Sequence, residues 1–374
     1  MPAAIRDLLI LSTISGIGPN RLRALVSHFG EMRTISRASA RDLCAVEGIE
    51  RKTAHAITQF FRTSGPGTSA RFADDQLSRL NKVNGTAVTF WDSTYPENLR
   101  KIYDPPPYLF VRGGMTGQDR YAIAIVGTRT PTAYGVQLAE RFAGKLSDLG
   151  IPVVSGLARG IDTVAHHATL LAGGITYGVI GSGIDVMYPP ENRSLMERML
   201  DAGAVISEFP MGAKPDAGNF PRRNRIISGI TLGTIVIETG TNGGAMITAS
   251  TALDQNRELF AIPAPVNDRK PSGCNLLIRE GKAKLTETID DVLVELGPRL
   301  KRILHDIPGK RPLPPPDLSL FEQKLFDVLG EDPVHIDLLA ERAGLSISDA
   351  LVHLLSLEFK GIIRQQRGKM FVRT

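Results

Sequence analysis

The chain has 374 residues, 42% of them hydrophobic and 22% charged, with a formal net charge of +5, the composition of a soluble globular protein long enough for two or three domains with substantial cores. The positive balance permits a polyanionic partner without requiring one. Cys44 and Cys274 match no metal-ligand or redox spacing, so both are expected to be reduced, buried thiols. With no such ligand spacing, and no uninterrupted apolar run approaching about 18 residues, no metal, no membrane span and a cytoplasmic location are expected.

Residues 1–65 read as a helical domain with a weak internal repeat. Ser15-Gly16-Ile17-Gly18-Pro19-Asn20-Arg21-Leu22 is echoed by Val46-Glu47-Gly48-Ile49-Glu50-Arg51-Lys52-Thr53, each before an apolar helix. This resembles tandem helix-hairpin-helix elements, in which a tight glycine turn leaves amides free to hold a DNA phosphate without reading sequence. The first copy fits that pattern. Glu50 in the second would repel phosphate, so that copy is expected to be structural. Arg62 to Ser69 combines turn formers and small polar residues and reads as a linker or long loop.

Residues 66–297 alternate strand, loop and helix, predicting a doubly wound α/β domain with a parallel sheet. Thr86–Trp91 and Tyr108–Val111 begin it. Tyr121–Val126 leads into Gly127-Thr128-Arg129 and a helix to Leu149; Ile151–Val154 leads into Ser155-Gly156-Leu157-Ala158-Arg159-Gly160 and a second helix from Ile161. Strands at Thr176–Ile180, Ala204–Ile206, Thr234–Glu238 and Glu258–Ile262 follow. In such a sheet ligands sit where loops leave the carboxyl ends of strands. The loops carrying Gly127 and Thr128, Ser155, Gly156, Ala158 and Gly160, and Gly243 and Gly244 should therefore line one crevice with backbone donors, and Arg129 adds charge. Phosphate is the expected guest.

Phe220-Pro221-Arg222-Arg223-Asn224-Arg225 is the sharpest local signal. Guanidinium forks suit bidentate phosphate contacts and Phe220 offers a face for a base; the bland alternative pairs the arginines with Glu208 and Glu238. A nicotinamide cofactor is not expected, because GxGxxG is missing and Ser155 stands where a ribose-binding acid belongs. Asp162 is read as capping its helix and orienting the Ser155–Gly160 loop. His166 and His167 diverge on a helix and do not share a metal. Glu238 is read as fixing arginines or loop amides, with a catalytic base as the other possibility.

Residues 298–318, rich in proline and basic residues, read as a stiff linker. Residues 319–374 read as three helices and a hairpin, a winged helix. Its third helix carries Ser348, Asp349, His353, Ser356 and Glu358, so protein contact, or DNA contact through a wing at Arg367-Gly368-Lys369, is favoured over base readout.

In order, Ala124–Arg129, Val154–Asp162 with Ala165-His166, Tyr188-Pro189 with Asn192, Ser207-Glu208, Phe220–Arg225 and Ile247-Thr248-Ala249 resemble the DNA-processing protein A family (DprA, also called Smf) over about residues 86–285. The resemblance implies an extended Rossmann-like fold flanked by a helix-hairpin-helix or SAM-like domain and a winged helix. It implies a non-catalytic single-stranded DNA-binding protein, dimeric through the Rossmann-like domain, that protects incoming strands and loads RecA in natural transformation. It assigns the basic pocket to Arg129, Phe220, Arg223, Asn224 and Arg225, with backbone contacts from Ser155–Asp162. The family's Ser-Gly-Ser segment is replaced here by Asn242-Gly243-Gly244, which removes hydroxyls from that loop. The rival reading, a phosphoribohydrolase-like nucleotide or nucleotide-sugar hydrolase, requires a glutamate after the glycines, where Ala245-Met246-Ile247 stand. A duplex-binding regulator using the winged helix is the third reading.

Overall fold

A computed structural model describes residues 4–63, 65–265, 272–305, 318–330, 333–359, 362–366 and 368–373. The chain divides into two compact units, Met1–Asp306 and Ile307–Thr374.

The first unit opens with helices Ile5–Ser12, Pro19–Phe29, Met32–Arg37, Ala40–Cys44, Arg51–Arg62 and Gly65–Lys82. The two turns of the repeat place Gly16 at φ 83° and Gly48 at φ 75°, backbone that favours glycine. Arg21 ties them together: Nε donates to the Gly48 carbonyl and Nη1 to that of Gly16, both at 2.8 Å. The stretch expected as a linker is instead the start of the helix Gly65–Lys82. Its Ser69, Ala73, Gln76 and Leu80 are buried at helical spacing, and Ser69 Oγ bonds Thr13 Oγ1 at 2.7 Å. Burial of one face overrides the weak propensity of the glycines. Cys44 also departs from expectation: it is exposed, whereas Cys274 is buried.

The sheet comprises β1 (Gly85–Thr89), β2 (Tyr108–Gly113), β3 (Ile123–Gly127), β4 (Val153–Ser155), β5 (Thr176–Val179), β6 (Gly203–Ser207), β7 (Gly233–Ile237), β8 (Glu258–Ala261) and β9 (Lys284–Leu285). Their order is β1-β2-β6-β5-β4-β3-β7-β8-β9. The β1–β2 and β2–β6 pairs are antiparallel and the remaining pairs parallel. Continuous apolar runs such as Ile123–Val126 are buried because helices cover both faces. From β3 the chain winds outward to β6, then returns to place β7 on the other side of β3. That reversal is the topological switch point where such sheets take ligands. The N-terminal helices share one hydrophobic core with this domain, Leu8 to Leu80 packing with Tyr108, Phe110, Leu157 and Met196.

The expected basic linker also begins later than its composition suggested. Helix Ile289–His305 runs through Pro298, held by buried Val292, Leu296 and Leu300 at four-residue intervals. Residues 306–317 of that linker, and Arg367 of the expected wing, lie outside the described residues. In the second unit, helices Leu320–Val328, Ile336–Ala343 and Ile347–Phe359 pack around Leu325, Leu339, Leu354 and Phe371. Strands β10 (Val334–His335), β11 (Ile363–Gln366) and β12 (Met370–Arg373) form a sheet in the order β10-β12-β11. Among the described residues no helix is long and apolar enough to cross a membrane.

Candidate nucleic-acid interface

A crevice of about 440 Å³ opens at the switch point, between the loop after β3, the loop after β7 and the start of helix Asn219–Ile230. Gly127, Thr128, Arg129, Ala158, Phe220, Arg223, Asn224, Gly243 and Gly244 all line it. Gly156 lines a smaller adjoining cleft, whose walls share Arg129, Ala158, Phe220 and Arg223 with the crevice.

The first loop is held rigid from β7. Thr128 N donates to the Glu238 carbonyl at 2.7 Å, and the Glu238 carboxylate accepts from Thr132 N at 2.9 Å and Thr132 Oγ1 at 3.0 Å. Glu238 sits at φ 51°, left-handed backbone of the kind that collects at functional sites. Of the two roles read for it, the structure supports anchoring a loop amide.

The second loop is fixed from within. Asp162 Oδ2 accepts from Gly156 N at 3.1 Å and Ala158 N at 3.4 Å. It orients the loop as expected but does not cap its helix, whose N-cap is Gly160 with no side-chain bond. Asn192 Nδ2 donates to the Leu157 carbonyl at 3.0 Å and Thr163 Oγ1 at 2.8 Å. Four expected ligand residues thus have structural roles. Ser155 is fully buried and donates to the Ile125 carbonyl at 2.6 Å. Gly160, at φ 76°, abuts the backbone of Thr128 and Arg129 so closely that a Cβ there would overlap it. The amides of Gly156 and Ala158 are taken by Asp162 and that of Thr128 by Glu238, so backbone donors at the crevice come chiefly from the loop after β7. After β7, Gly243 is the N-cap of helix Gly244–Asp254 and offers no side chain, which leaves first-turn amides uncapped toward the crevice.

The arginines separate by helical geometry. Arg223 is 4% exposed and donates Nη1 to the Val179 carbonyl at 2.8 Å, while its Nε has no partner. Burial lowers its pKa to about 10, opposed by Asp162, so it remains cationic at neutral pH. Burial likewise pushes the Asp162 carboxyl up, against the pull of Arg223. The exposed Arg129 and the buried Arg223 stand over the Phe220 ring, 5.2 and 5.8 Å from its centre. Arg222 is exposed and lies 5.2 Å from the centre of Phe209, outside the crevice lining. Arg225 is the clearest correction: it is buried and turned away, paired with Glu208 and with Asp104, the latter at 3.1 Å. The bland alternative therefore holds for Arg225, while Arg129 and Arg223 form the basic wall.

His166 is buried beneath this wall. Thr176 Oγ1 gives its hydrogen to the Val153 carbonyl, so His166 Nδ1 donates to Thr176, at 2.6 Å. Burial and the Arg223 charge push the imidazole down to about 3, so it is neutral at physiological pH. No group of three or more His, Cys, Asp or Glu able to hold a metal occurs among the described residues. The sequence reading missed Arg159, whose loop position was visible; it lines the smaller cleft and pairs with Glu191.

A switch-point crevice with a cationic wall, an aromatic ring and glycine loops belongs to a Rossmann-like domain, here in one chain with tandem helical hairpins and a winged helix. The DNA recombination-mediator protein A family matches residues 86–297, a DprA winged helix domain residues 309–369, and a SAM-like helix-hairpin-helix tandem residues 8–63. The chain is 33% identical to Protein Smf of Synechocystis, with 98% of each chain covered. It is similar to the structure of DNA processing protein A from Streptococcus pneumoniae (TM-score 0.66, 32% identity, covering 79% of this chain and 99% of that one). It is also similar to the Helicobacter pylori DNA processing protein A structure described for its single-stranded DNA binding mode (TM-score 0.52, 26% identity, covering 57% and 96%). The chain belongs to the DprA/Smf family of DNA-processing proteins.

Proposed function

We propose that the crevice binds single-stranded DNA without sequence preference, and that the chain protects incoming strands and loads RecA onto them in natural transformation, acting as a homodimer through the Rossmann-like domain. The observation that carries this reading is the pairing of Arg129 and Arg223 around Phe220 at the switch point. Two guanidiniums supply phosphate contacts and the ring supplies a stacking face, the combination that holds a strand while remaining indifferent to its sequence. The uncapped amide of Gly244 adds a donor for a second phosphate. The single-strand binding described for the Helicobacter pylori relative supports the same assignment.

Arg129→Ala should weaken binding of an oligothymidine strand about tenfold or more and make its salt dependence shallower, since one charge-assisted phosphate contact is lost. Fluorescence anisotropy at two salt concentrations checks both. In the same preparation, wild-type protein should speed RecA assembly on strands already coated by single-strand-binding protein, and the variant should not. Unchanged affinity in folded Arg129→Ala would contradict the site; no effect of the wild type on RecA would contradict the loading role.

A further inference from the structure

The basic wall does not stop at the crevice. On helix Asn219–Ile230, Arg222 follows the crevice residue Pro221 and leans its exposed guanidinium on Phe209. Farther along the same helix, Arg225 bonds Asp104. Asp104 in turn lines a cleft of about 270 Å³ with Gly18, Pro19, Asn20 and Arg21 of the first helical hairpin. Beside that cleft Tyr103 is 91% exposed. It stands on a fixed support: its carbonyl accepts from Arg23 Nη2 at 3.4 Å, Arg23 also donates to Asn20 Oδ1 at 3.0 Å, and the following Pro105–Pro107 are buried. Along this strip Arg21, Arg23, Arg222 and Arg225 outnumber the two carboxylates Asp104 and Glu208, both of which are paired with Arg225. An aromatic face left open on a rigid loop, set among arginines, is the arrangement that tracks a single strand.

We propose that a strand leaving the crevice continues along this strip, with its backbone beside Arg222 and Arg21 and a base stacked on Tyr103. The helical hairpins then extend the single-strand track. The inference rests on the single-strand reading of the crevice, and strand length separates the two. An oligothymidine of about six nucleotides fills the crevice, whereas one of about twenty reaches the strip. Tyr103→Ala removes the stacking face, and Asn20→Glu places a negative charge at the hairpin; neither residue lines the crevice.

Affinities of both lengths for the full chain, measured by anisotropy, decide the matter. Each variant should bind the longer strand about tenfold more weakly and the shorter one as the wild type does. Unchanged affinity for the longer strand in both folded variants would overturn the proposal, as would equal losses at both lengths, which would place Tyr103 and Asn20 on the crevice itself. A wild-type chain that binds neither length would overturn the single-strand reading and this path with it, whereas wild-type binding of the shorter strand together with either overturning result would leave the crevice assignment standing.

Discussion

Arg225 shows how far the residue pattern carries and where it stops. Three arginines within four positions mark a binding segment, but a helix turns successive residues by about 100°, so they cannot share one target. Arg223 faces the crevice, Arg222 faces solvent and Arg225 faces Glu208. The sequence named Glu208 as a possible partner; which arginine took it depended on the phase of the helix Asn219–Ile230 relative to β6, which no local pattern encodes. Arg225→Ala should therefore act on stability. It strands the buried Glu208 carboxylate, costing about 3–5 kcal/mol, and thermal or urea unfolding would register the loss; an unaltered midpoint would show the pair to be dispensable. The second residue-scale consequence is acid sensitivity. Unfolded, the His166 imidazole titrates near 6.5; folded, it is held down to about 3. Between those values the unfolded chain binds the extra proton, so this contribution is fully present above pH 6.5 and lost as pH falls, by about 1.4 kcal/mol per unit. His166→Gln should flatten stability across that acid window, as circular dichroism against pH would reveal. A slope identical to the wild type's would assign the acid sensitivity elsewhere.

At the scale of elements, the strands and loops that frame the candidate site were more legible than their surroundings. β3, β4, β5 and β7 are buried on both faces, so their sequences are nearly continuous apolar runs, and the glycine loops that follow are visible as interruptions. The helix Gly65–Lys82 was not legible, because its first turn is written in the residues of a loop and becomes helical only by docking on Ile5–Ser12. Strand β9 has two residues and was too short to register as a pattern. Pro298 argued for a break that the buried face of its helix overrides. If the stretch after Arg62 is part of the core, Leu80→Ala should destabilise the whole first unit by about 2–4 kcal/mol, read as one cooperative shift of the denaturation midpoint. A shift confined to a separate early transition would mean that this helix is an appendage.

For the molecule as a whole, the net charge of +5 is a weak guide, and the useful quantity is its placement. Cationic side chains collect on one wall at the switch point, whereas the third helix of the winged unit exposes apolar Ile347, Leu351, Val352 and Leu355, a surface poorly suited to reading a groove. That contrast makes strand preference the central claim. The most direct test is an anisotropy titration of the full chain with an unstructured oligothymidine strand and a length-matched duplex, at low and moderate salt. Tighter binding of the single strand, weakening steeply as salt rises, is the predicted result. Preference for the duplex, or no binding of either, would contradict the account.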